Sequence, residues 1–311
     1  MPLKFFHPRF WLTWLGIAIL RLVILLPWHW QMSFGVTIGK LLYIALPARR
    51  KISCINIEIA FPELSSKERE EVNRQHFISL GESLFHTSLS WWGTSSKIKK
   101  ITKIEGLENL TKANKESGVI LIGGHFTSLE LGGRNLANHT SIQTVYRPHQ
   151  NELLEYLTTK KRNQHYGKTI SKHNIRQMIK SLKNGQIVWY ATDQNYRGKN
   201  SVLIPFFGVE TATNVGTSRL SKMTGAKVIP VFPIRLPGKD DGYLLRIYPP
   251  LDNFPSKNST TDTLQLNQII EEQIKQYPAQ YLWTHKRYKH YASEGKDFYK
   301  DYLLNNETSC S

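Results

Sequence analysis

Residues 118–134, GVILIGGHFTSLELGGR, decide the fold class of this 311-residue chain. The apolar run at 119–122 is short and bounded by glycines, as is typical of a strand buried on both faces. Gly123 and Gly124 allow a tight turn in which the backbone can approach a ligand closely. A helix is expected to begin near Leu129. The stretch therefore predicts a strand, a turn and a helix, with the turn at the strand end where sites assemble in open α/β sheets.

The turn carries His125, and Glu130 follows five residues later. In a chain with 11 histidines such a spacing arises by chance, so context has to decide its meaning. Five residues along an ideal helix leave two side chains about 140° apart. We therefore expect His125 to lie before the helix, with Glu130 reaching back to orient its imidazole and raise its basicity. The alternative is a helix-capping histidine with a surface glutamate.

The chain after residue 50 alternates between strand and helix patterns. This alternation predicts an α/β fold with a mostly parallel sheet flanked by helices. The domain division that we predict is 1–50 and 51–311. A capping box at Ser65 and Glu68 predicts a long helix through about residue 90. Further strands are expected at 101–105, 142–146, 187–192, 202–206, 228–234 and 244–248, and helices at 129–137, 152–163, 175–182, 213–223 and 262–276.

The first 50 residues favour a membrane anchor and a membrane-associated segment. Residues 10–26 form an apolar run of about 17 residues, the lower limit for a bilayer span, and Arg21 interrupts it. Tryptophans at 11, 14, 28 and 30 bracket the run as an interfacial belt would. The anchor is therefore a short span or an in-plane helix, and the alternative is a buried core helix. A second apolar stretch, 34–46, is too short to span and ends in a basic cluster.

The charge balance indicates a polyanionic partner. The chain has 41 Lys and Arg against 24 Asp and Glu, a formal net charge of +17. Such a surplus suits nucleic acid, an anionic membrane surface or a phosphorylated substrate, although it also keeps a basic protein soluble.

The candidate chemistry is a base without a protein nucleophile. No Gly-x-Ser-x-Gly elbow, metalloprotease motif, Walker loop or dinucleotide fingerprint is present. A histidine base alone suggests direct attack, in which His125 deprotonates a substrate hydroxyl that then attacks a bound electrophile.

The chain resembles the late acyltransferases of lipid A biosynthesis, the lauroyl/palmitoleoyl/myristoyl transferase group, over essentially its whole length. The matching blocks are HPRFWLTWLG from His7, HFxxLELG from His125, VYRP from Val145, VWYAxDQ from Val188, PFF from Pro205, TAT from Thr211, GTS from Gly216 and YLWxHxR from Tyr281. The opening HPRFWLTW favours the lauroyl/palmitoleoyl branch.

The resemblance implies a glycerol-phosphate-acyltransferase-like fold and acyl transfer from acyl carrier protein to a hydroxyl of a Kdo-bearing, phosphorylated lipid A precursor. It implies no cofactor, no nucleic acid partner, and a site on the cytoplasmic face of the bacterial inner membrane. His125 would be the general base and Glu130 its orienter. Arg147 is a candidate for binding phosphate or the thioester oxyanion, or else a structural salt bridge. Asp193 would position His125 or substrate, and Gln194 is a further candidate.

A rival hypothesis from another class is a membrane-tethered basic protein that binds anionic lipid or nucleic acid without catalysis. Nucleic-acid binding favours basic residues interleaved with aromatics, a pattern that the Tyr288 region shows in part.

Overall fold

A group of helices precedes an α/β region in the computed structural model, which describes residues 1–237, 242–290 and 298–305. Two short 3₁₀ segments, Leu3–Phe6 and Pro8–Phe10, lead into the first helix. The helices of the N-terminal group are α1 (Trp11–Val23), α2 (Trp28–Ala45), α3 (Pro47–Ala60), α4 (Ser66–Trp92) and α5 (Ser95–Ile101).

The α/β region alternates strands and helices from residue 102 onward. Its strands are β1 (Thr102–Glu105), β2 (Val119–Ile122), β3 (Ile142–Tyr146), β4 (Thr169–Ser171), β5 (Ile187–Trp189), β6 (Ser201–Phe206), β7 (Val209–Asn214), β8 (Lys227–Arg235) and β9 (Tyr243–Ile247). Its helices are α6 (Leu107–Glu116), α7 (Leu129–Leu136), α8 (Glu152–His165), α9 (Ile175–Lys183), α10 (Gly216–Thr224), α11 (Ser259–Gln276) and α12 (Phe298–Asn305).

Seven strands form one sheet in the order β1-β9-β8-β2-β5-β3-β4. Neighbouring strands are parallel except for β8 and β9, which are antiparallel. Strands β6 and β7 form a separate antiparallel hairpin. The predicted α/β fold with a mostly parallel sheet is therefore confirmed.

Strand β2 lies at the centre of the sheet, and its alternate side chains pack on opposite faces. Val119 and Leu121 belong to the cluster that includes residues of α6 and α7. Ile120 and Ile122 belong to the cluster with residues of α9, α10 and α11. All four side chains are fully buried. Because helices cover both faces, the strand carries a continuous apolar run rather than an alternating pattern.

Most predicted elements are confirmed to within a few residues. The capping box forms, because the Glu68 carboxylate accepts from the Ser65 N–H at 2.8 Å and Ser65 Oγ accepts from the Glu68 N–H at 3.3 Å. The prediction of a helix from residue 213 is wrong at its start. Residues up to Asn214 belong to β7, and α10 begins at Gly216. The domain division at residue 50 stays a prediction.

The N-terminal apolar run forms helix α1, which has 13 residues. Ile17 packs with Phe5, Phe10 and Leu153 in a small buried cluster, whereas much of the opposite face of the helix is exposed. Within residues 1–237, 242–290 and 298–305, no helix has both the length and the apolar character that crossing a membrane requires.

Helix α2 lies directly on α4 through three glycines. A Cβ added to Gly39 would stand 2.5 Å from Ile78 Cα, and one added to Gly35 would stand 2.8 Å from Glu82 Cα. Gly81 faces the Gly35 carbonyl and Gly39 from the other side. The two backbones can approach this closely only because no side chain separates them.

We expect Gly39→Ala to destabilise the protein by about 1–3 kcal/mol, since the added methyl group meets helix backbone that cannot move aside. The helix propensity of alanine offsets this by no more than about 1 kcal/mol. Thermal unfolding measures the change.

Gly16→Ala is the matched control, because a Cβ at Gly16 in α1 meets nothing within 4 Å. It should leave the melting temperature unchanged or raise it. Equal melting temperatures for the two variants would contradict the close packing of α2 on α4.

Candidate active site

His125 lies in the turn between β2 and α7, at the carboxyl end of the central strand. Helix α7 begins at Leu129, so His125 precedes the helix, as predicted. Gly123 leaves no room for a side chain, because an added Cβ would collide with the Val231 carbonyl of β8. Leu282 N–H donates to the His125 carbonyl at 3.0 Å. The turn therefore packs against β8 at Gly123 and is hydrogen-bonded to the backbone of Leu282 at His125.

Asp193 binds His125 with both of its carboxylate oxygens. Its Oδ1 lies 2.6 Å from His125 Nδ1, and its Oδ2 accepts from the His125 backbone N–H at 2.8 Å. Asp193 follows β5, which pairs with β2, so the parallel sheet brings the two strand ends together. The carboxylate is almost completely buried, with 1% of its side chain exposed. An ionised carboxylate at such a site needs this pairing.

The pairing changes the pKa of each partner in opposite directions. Burial acts to lower the pKa of His125, but the charge and hydrogen bond of Asp193 outweigh burial and raise it. Burial acts to raise the pKa of Asp193, but the charge and hydrogen bonds of His125, with a hydrogen bond from Tyr281, lower it to about 2. Asp193 is therefore an anion near neutral pH, and it makes His125 a stronger base.

The second nitrogen of His125 is open to a substrate. With Nδ1 bound to Asp193, the neutral ring carries its proton on Nδ1 and presents Nε2 as an acceptor. The side chain is 29% exposed, and none of the residues that the structure describes binds Nε2. The site can therefore remove a proton from a group that approaches Nε2.

Within the residues that the structure describes, Glu130 forms no hydrogen bond or ion pair with His125, so it does not orient the imidazole there as predicted. Its carboxylate forms an ion pair with Arg162 of α8, and it accepts from the Tyr166 hydroxyl at 3.0 Å. The physical reason is that Glu130 lies in the first turn of α7 facing α8, while Asp193 already occupies Nδ1. The charge of Arg162 acts to lower the pKa of His125, so this ion pair lies near the base. A catalytic role for Glu130 stays a prediction.

Within the residues that the structure describes, neither Arg147 nor Gln194 forms a side-chain hydrogen bond or ion pair with His125 or Asp193. Arg147 follows β3 and is exposed. In the described part of the chain, no carboxylate lies within salt-bridge distance of it, and Gln194 forms no side-chain hydrogen bond. Their predicted roles in substrate binding remain predictions.

Among the residues near the site that sequence reasoning missed as individual candidates are Arg162, Tyr166 and Tyr281. Arg162 was part of a basic run, and only the contact between α7 and α8 distinguishes it from Lys160 and Lys161. Tyr281 belongs to the block YLWxHxR, whose backbone crosses the site beside His125. In the described residues, no group of three or more His, Cys, Asp or Glu side chains could hold a metal ion.

Comparisons with known proteins agree with the resemblance seen in the sequence. The family model described as bacterial lipid A biosynthesis acyltransferase matches residues 2–290. The chain is 39% identical over 290 residues to the lipid A biosynthesis palmitoleoyltransferase of Escherichia coli K12, covering 92% of this chain and 94% of that protein. It is 38% identical to the lauroyltransferase of the same organism, over 91% and 93%, and 25% identical to its myristoyltransferase, over 92% and 89%.

A solved structure, the 1-acyl-sn-glycerophosphate acyltransferase of Thermotoga maritima, aligns with 76% of this chain and 97% of that chain. Its TM-score is 0.38 and its sequence identity is 14%.

We expect Asp193→Asn to lower the pKa of His125 from above to below its ordinary value. The substitution removes the charge that raises the pKa and leaves the burial that lowers it. An NMR titration of the imidazole proton signals measures the shift.

Glu130→Gln should change the pKa of His125 less, because the Glu130 carboxylate is bonded to Arg162 and Tyr166 rather than to the ring. Glu105→Gln is the control, since Glu105 lies on the edge strand β1 and pairs with Arg246 of the neighbouring β9. A larger shift in Glu130→Gln than in Asp193→Asn would restore Glu130 as the orienter.

Proposed function

The chain belongs to the bacterial lipid A biosynthesis acyltransferase family, and from this premise we propose the details of its reaction. It transfers a fatty acyl chain, lauroyl or palmitoleoyl, from acyl carrier protein to a hydroxyl of a Kdo-bearing, phosphorylated lipid A precursor. The higher identity to the palmitoleoyl- and lauroyltransferase than to the myristoyltransferase supports this choice of acyl chain. Family membership also favours an enzyme over a binding protein without catalysis.

The observation that carries the mechanism is the open Nε2 of His125, backed by a buried Asp193. Nε2 takes the proton of the acceptor hydroxyl as its oxygen attacks the carbonyl carbon of the thioester. The tetrahedral intermediate collapses, the carbon–sulfur bond breaks, and the carrier thiolate takes the proton back from Nε2. An ester forms and a thioester is lost, without oxidation or reduction. Asp193 stabilises the imidazolium that exists between the two proton transfers.

The base must be neutral to accept the proton. Because Asp193 raises the pKa of His125, the rate should rise with pH through that raised value. Activity is therefore expected to be low in mildly acidic buffer and to reach a plateau on the alkaline side.

An exposed apolar surface supports a membrane-bound acceptor. Leu12 is 81% exposed and Leu25 is 78% exposed. The large apolar side chains exposed within residues 1–46 are Met1, Leu3, Phe6, Trp11, Leu12, Leu15, Ile19, Leu22, Leu25, Leu26, Trp30, Phe34, Leu41, Ile44 and Leu46. Such a concentration of exposed apolar side chains in one part of the chain favours an interaction site. We place this surface, which includes the predicted anchor, in the cytoplasmic face of the bacterial inner membrane.

Three cations beside the apolar surface support an anionic lipid partner. Arg21 is the single charged residue of α1, and Lys160 and Lys161 lie on α8, which packs against α1. Burial lowers the pKa of Lys161, and the charges of Arg21 and Lys160 lower it further, so the three cations lie close together. Within the residues that the structure describes, none of them forms a salt bridge. An anionic headgroup would relieve their repulsion.

His125→Ala should lose at least about 10²-fold of the acyl transfer rate, the usual effect of removing a general base. The assay combines lauroyl- and palmitoleoyl-acyl carrier protein with the Kdo-bearing precursor and identifies the product lipid by mass spectrometry.

His173→Ala, a change at an exposed histidine, should retain full activity. No transfer by the wild type would overturn the proposed reaction. Full transfer by His125→Ala would be consistent with the proposed reaction but would show that His125 is not its general base.

Membrane binding should disappear when Leu12 and Leu25 are both changed to Asp, because two charges then enter the apolar surface. Flotation with vesicles that contain an anionic phospholipid measures the bound fraction. Leu203→Asp changes an exposed leucine on β6 and is the control that should still float.

Repeating the flotation with vesicles of zwitterionic lipid alone tests whether Arg21, Lys160 and Lys161 bind anionic headgroups. The wild type should prefer anionic vesicles, and the double variant Arg21→Ala with Lys161→Ala should lose that preference. Unchanged flotation in both sets of variants would rule out this surface as the membrane contact.

A further inference from the structure

His285 is a second histidine beside the His125–Asp193 pair, and the mechanism above does not use it. The segment after α11 crosses the site, where Leu282 N–H donates to the His125 carbonyl at 3.0 Å. His285 N–H donates in turn to the Leu282 carbonyl at 3.3 Å. Asn56 Nδ2 donates to the His285 carbonyl at 2.9 Å. The backbone on both sides of this residue is therefore fixed relative to the base.

The hydrogen bonds also fix the tautomer of His285. Its Nε2 lies 3.2 Å from the backbone N–H of Asn195, two residues beyond Asp193. A backbone N–H can only donate, so Nε2 must be the acceptor and carry no proton. The neutral ring therefore holds its proton on Nδ1. No other residue in the described part of the chain binds this Nδ1–H, although the side chain is half-buried.

The ring of His285 is neutral at physiological pH. Burial lowers the pKa of His285 to about 4, and the charges of His125, Arg287 and Arg49 add to this effect. The charge of Asp193 acts to raise the pKa of His285. Because Asp193 forms no hydrogen bond with this ring, its effect is smaller than the combined effect of burial and the neighbouring cations. A neutral imidazole donates a hydrogen bond through Nδ1–H without losing its proton. This property suits a group that must stabilise charge on a carbonyl oxygen.

We infer that His285 is a catalytic hydrogen-bond donor, whose Nδ1–H binds the carbonyl oxygen of the thioester. This inference rests on the proposed acyl transfer. As the acceptor oxygen attacks the carbonyl carbon, the π electrons of the carbonyl move onto its oxygen, and the oxyanion accepts from Nδ1–H. When the carbon–sulfur bond breaks, the carbonyl reforms and the hydrogen bond weakens. His125 moves the proton, and His285 keeps its own.

His285 is better fixed in position than Arg147, the residue that the sequence suggested for binding the thioester oxyanion. Arg147 is exposed, and within the part of the chain that the structure describes its side chain forms no hydrogen bond or ion pair. His285 is held by hydrogen bonds from Asn195 and Asn56 and through its own N–H. A donor that is already fixed needs no reorganisation when charge develops.

Two substitutions separate donation by Nδ1 from a purely structural role of Nε2. In His285→Asn the side-chain amide can place an N–H where Nδ1 was, while the acceptor for Asn195 is lost. In His285→Gln the side-chain oxygen can accept from Asn195 where Nε2 was, while the donor is lost. We expect kcat to fall about 10²-fold or more in His285→Gln and clearly less in His285→Asn. His173→Gln and His173→Asn are the exposed controls.

The measurements are kcat and KM in the acyl transfer assay, together with the melting temperature of each variant. An active His285→Gln, or a His285→Asn that is no better than His285→Gln, overturns the inference. In either case an active wild type leaves the proposed function intact, so the two failures are distinguishable.

The wild-type protein offers a test that needs no variant. Long-range ¹⁵N–¹H NMR correlation distinguishes the two neutral tautomers of a histidine. His285 should show the Nδ1–H tautomer from about pH 6 to pH 9, without titrating, because its pKa is about 4. The Nε2–H tautomer, or a titration near pH 6.5, overturns the inference.

Discussion

The two-point bond between Asp193 and His125 is the interaction on which the site depends. It joins the ends of β2 and β5, which are 68 residues apart in sequence at the bonded positions, through one backbone and one side-chain hydrogen bond. A buried carboxylate without a partner would be costly, so the turn after β2 and the turn after β5 stabilise each other. Any change in the register of these strands would move the base away from its orienter.

The sequence was sufficient for the strand, the turn and the position of His125 before the helix. These features follow from local patterns, since an apolar run of four residues between glycines has few other structures available. The partner of His125 could not be found in the same way. Asp193 reaches His125 because β5 lies beside β2, and strand order depends on the packing of the whole chain. Glu130 is the acidic residue nearest to His125 in the sequence. In the structure, however, its carboxylate forms an ion pair with Arg162 of α8.

The hairpin of β6 and β7 shows a second limit of local patterns. Its turn places Phe207 and Gly208 both at positive φ, with values of 48° and 76°. Glycine adopts this conformation easily, but phenylalanine rarely does, so the residue pair gives little sign of a two-residue hairpin turn. The second strand was therefore missed, and the helix that follows it was predicted to begin at residue 213 rather than at Gly216.

One carboxylate acts on two imidazoles with opposite results. Asp193 binds His125 directly, and this bond outweighs burial and raises the pKa of His125. The same charge also attracts a proton to His285, but without a direct bond it is outweighed, and burial lowers the pKa of His285 to about 4. The pKa values of the two rings are therefore shifted in opposite directions, although the same carboxylate acts on both. His125 can take up a proton near neutral pH, whereas His285 stays neutral and can donate through Nδ1–H, as general base catalysis and oxyanion stabilisation require.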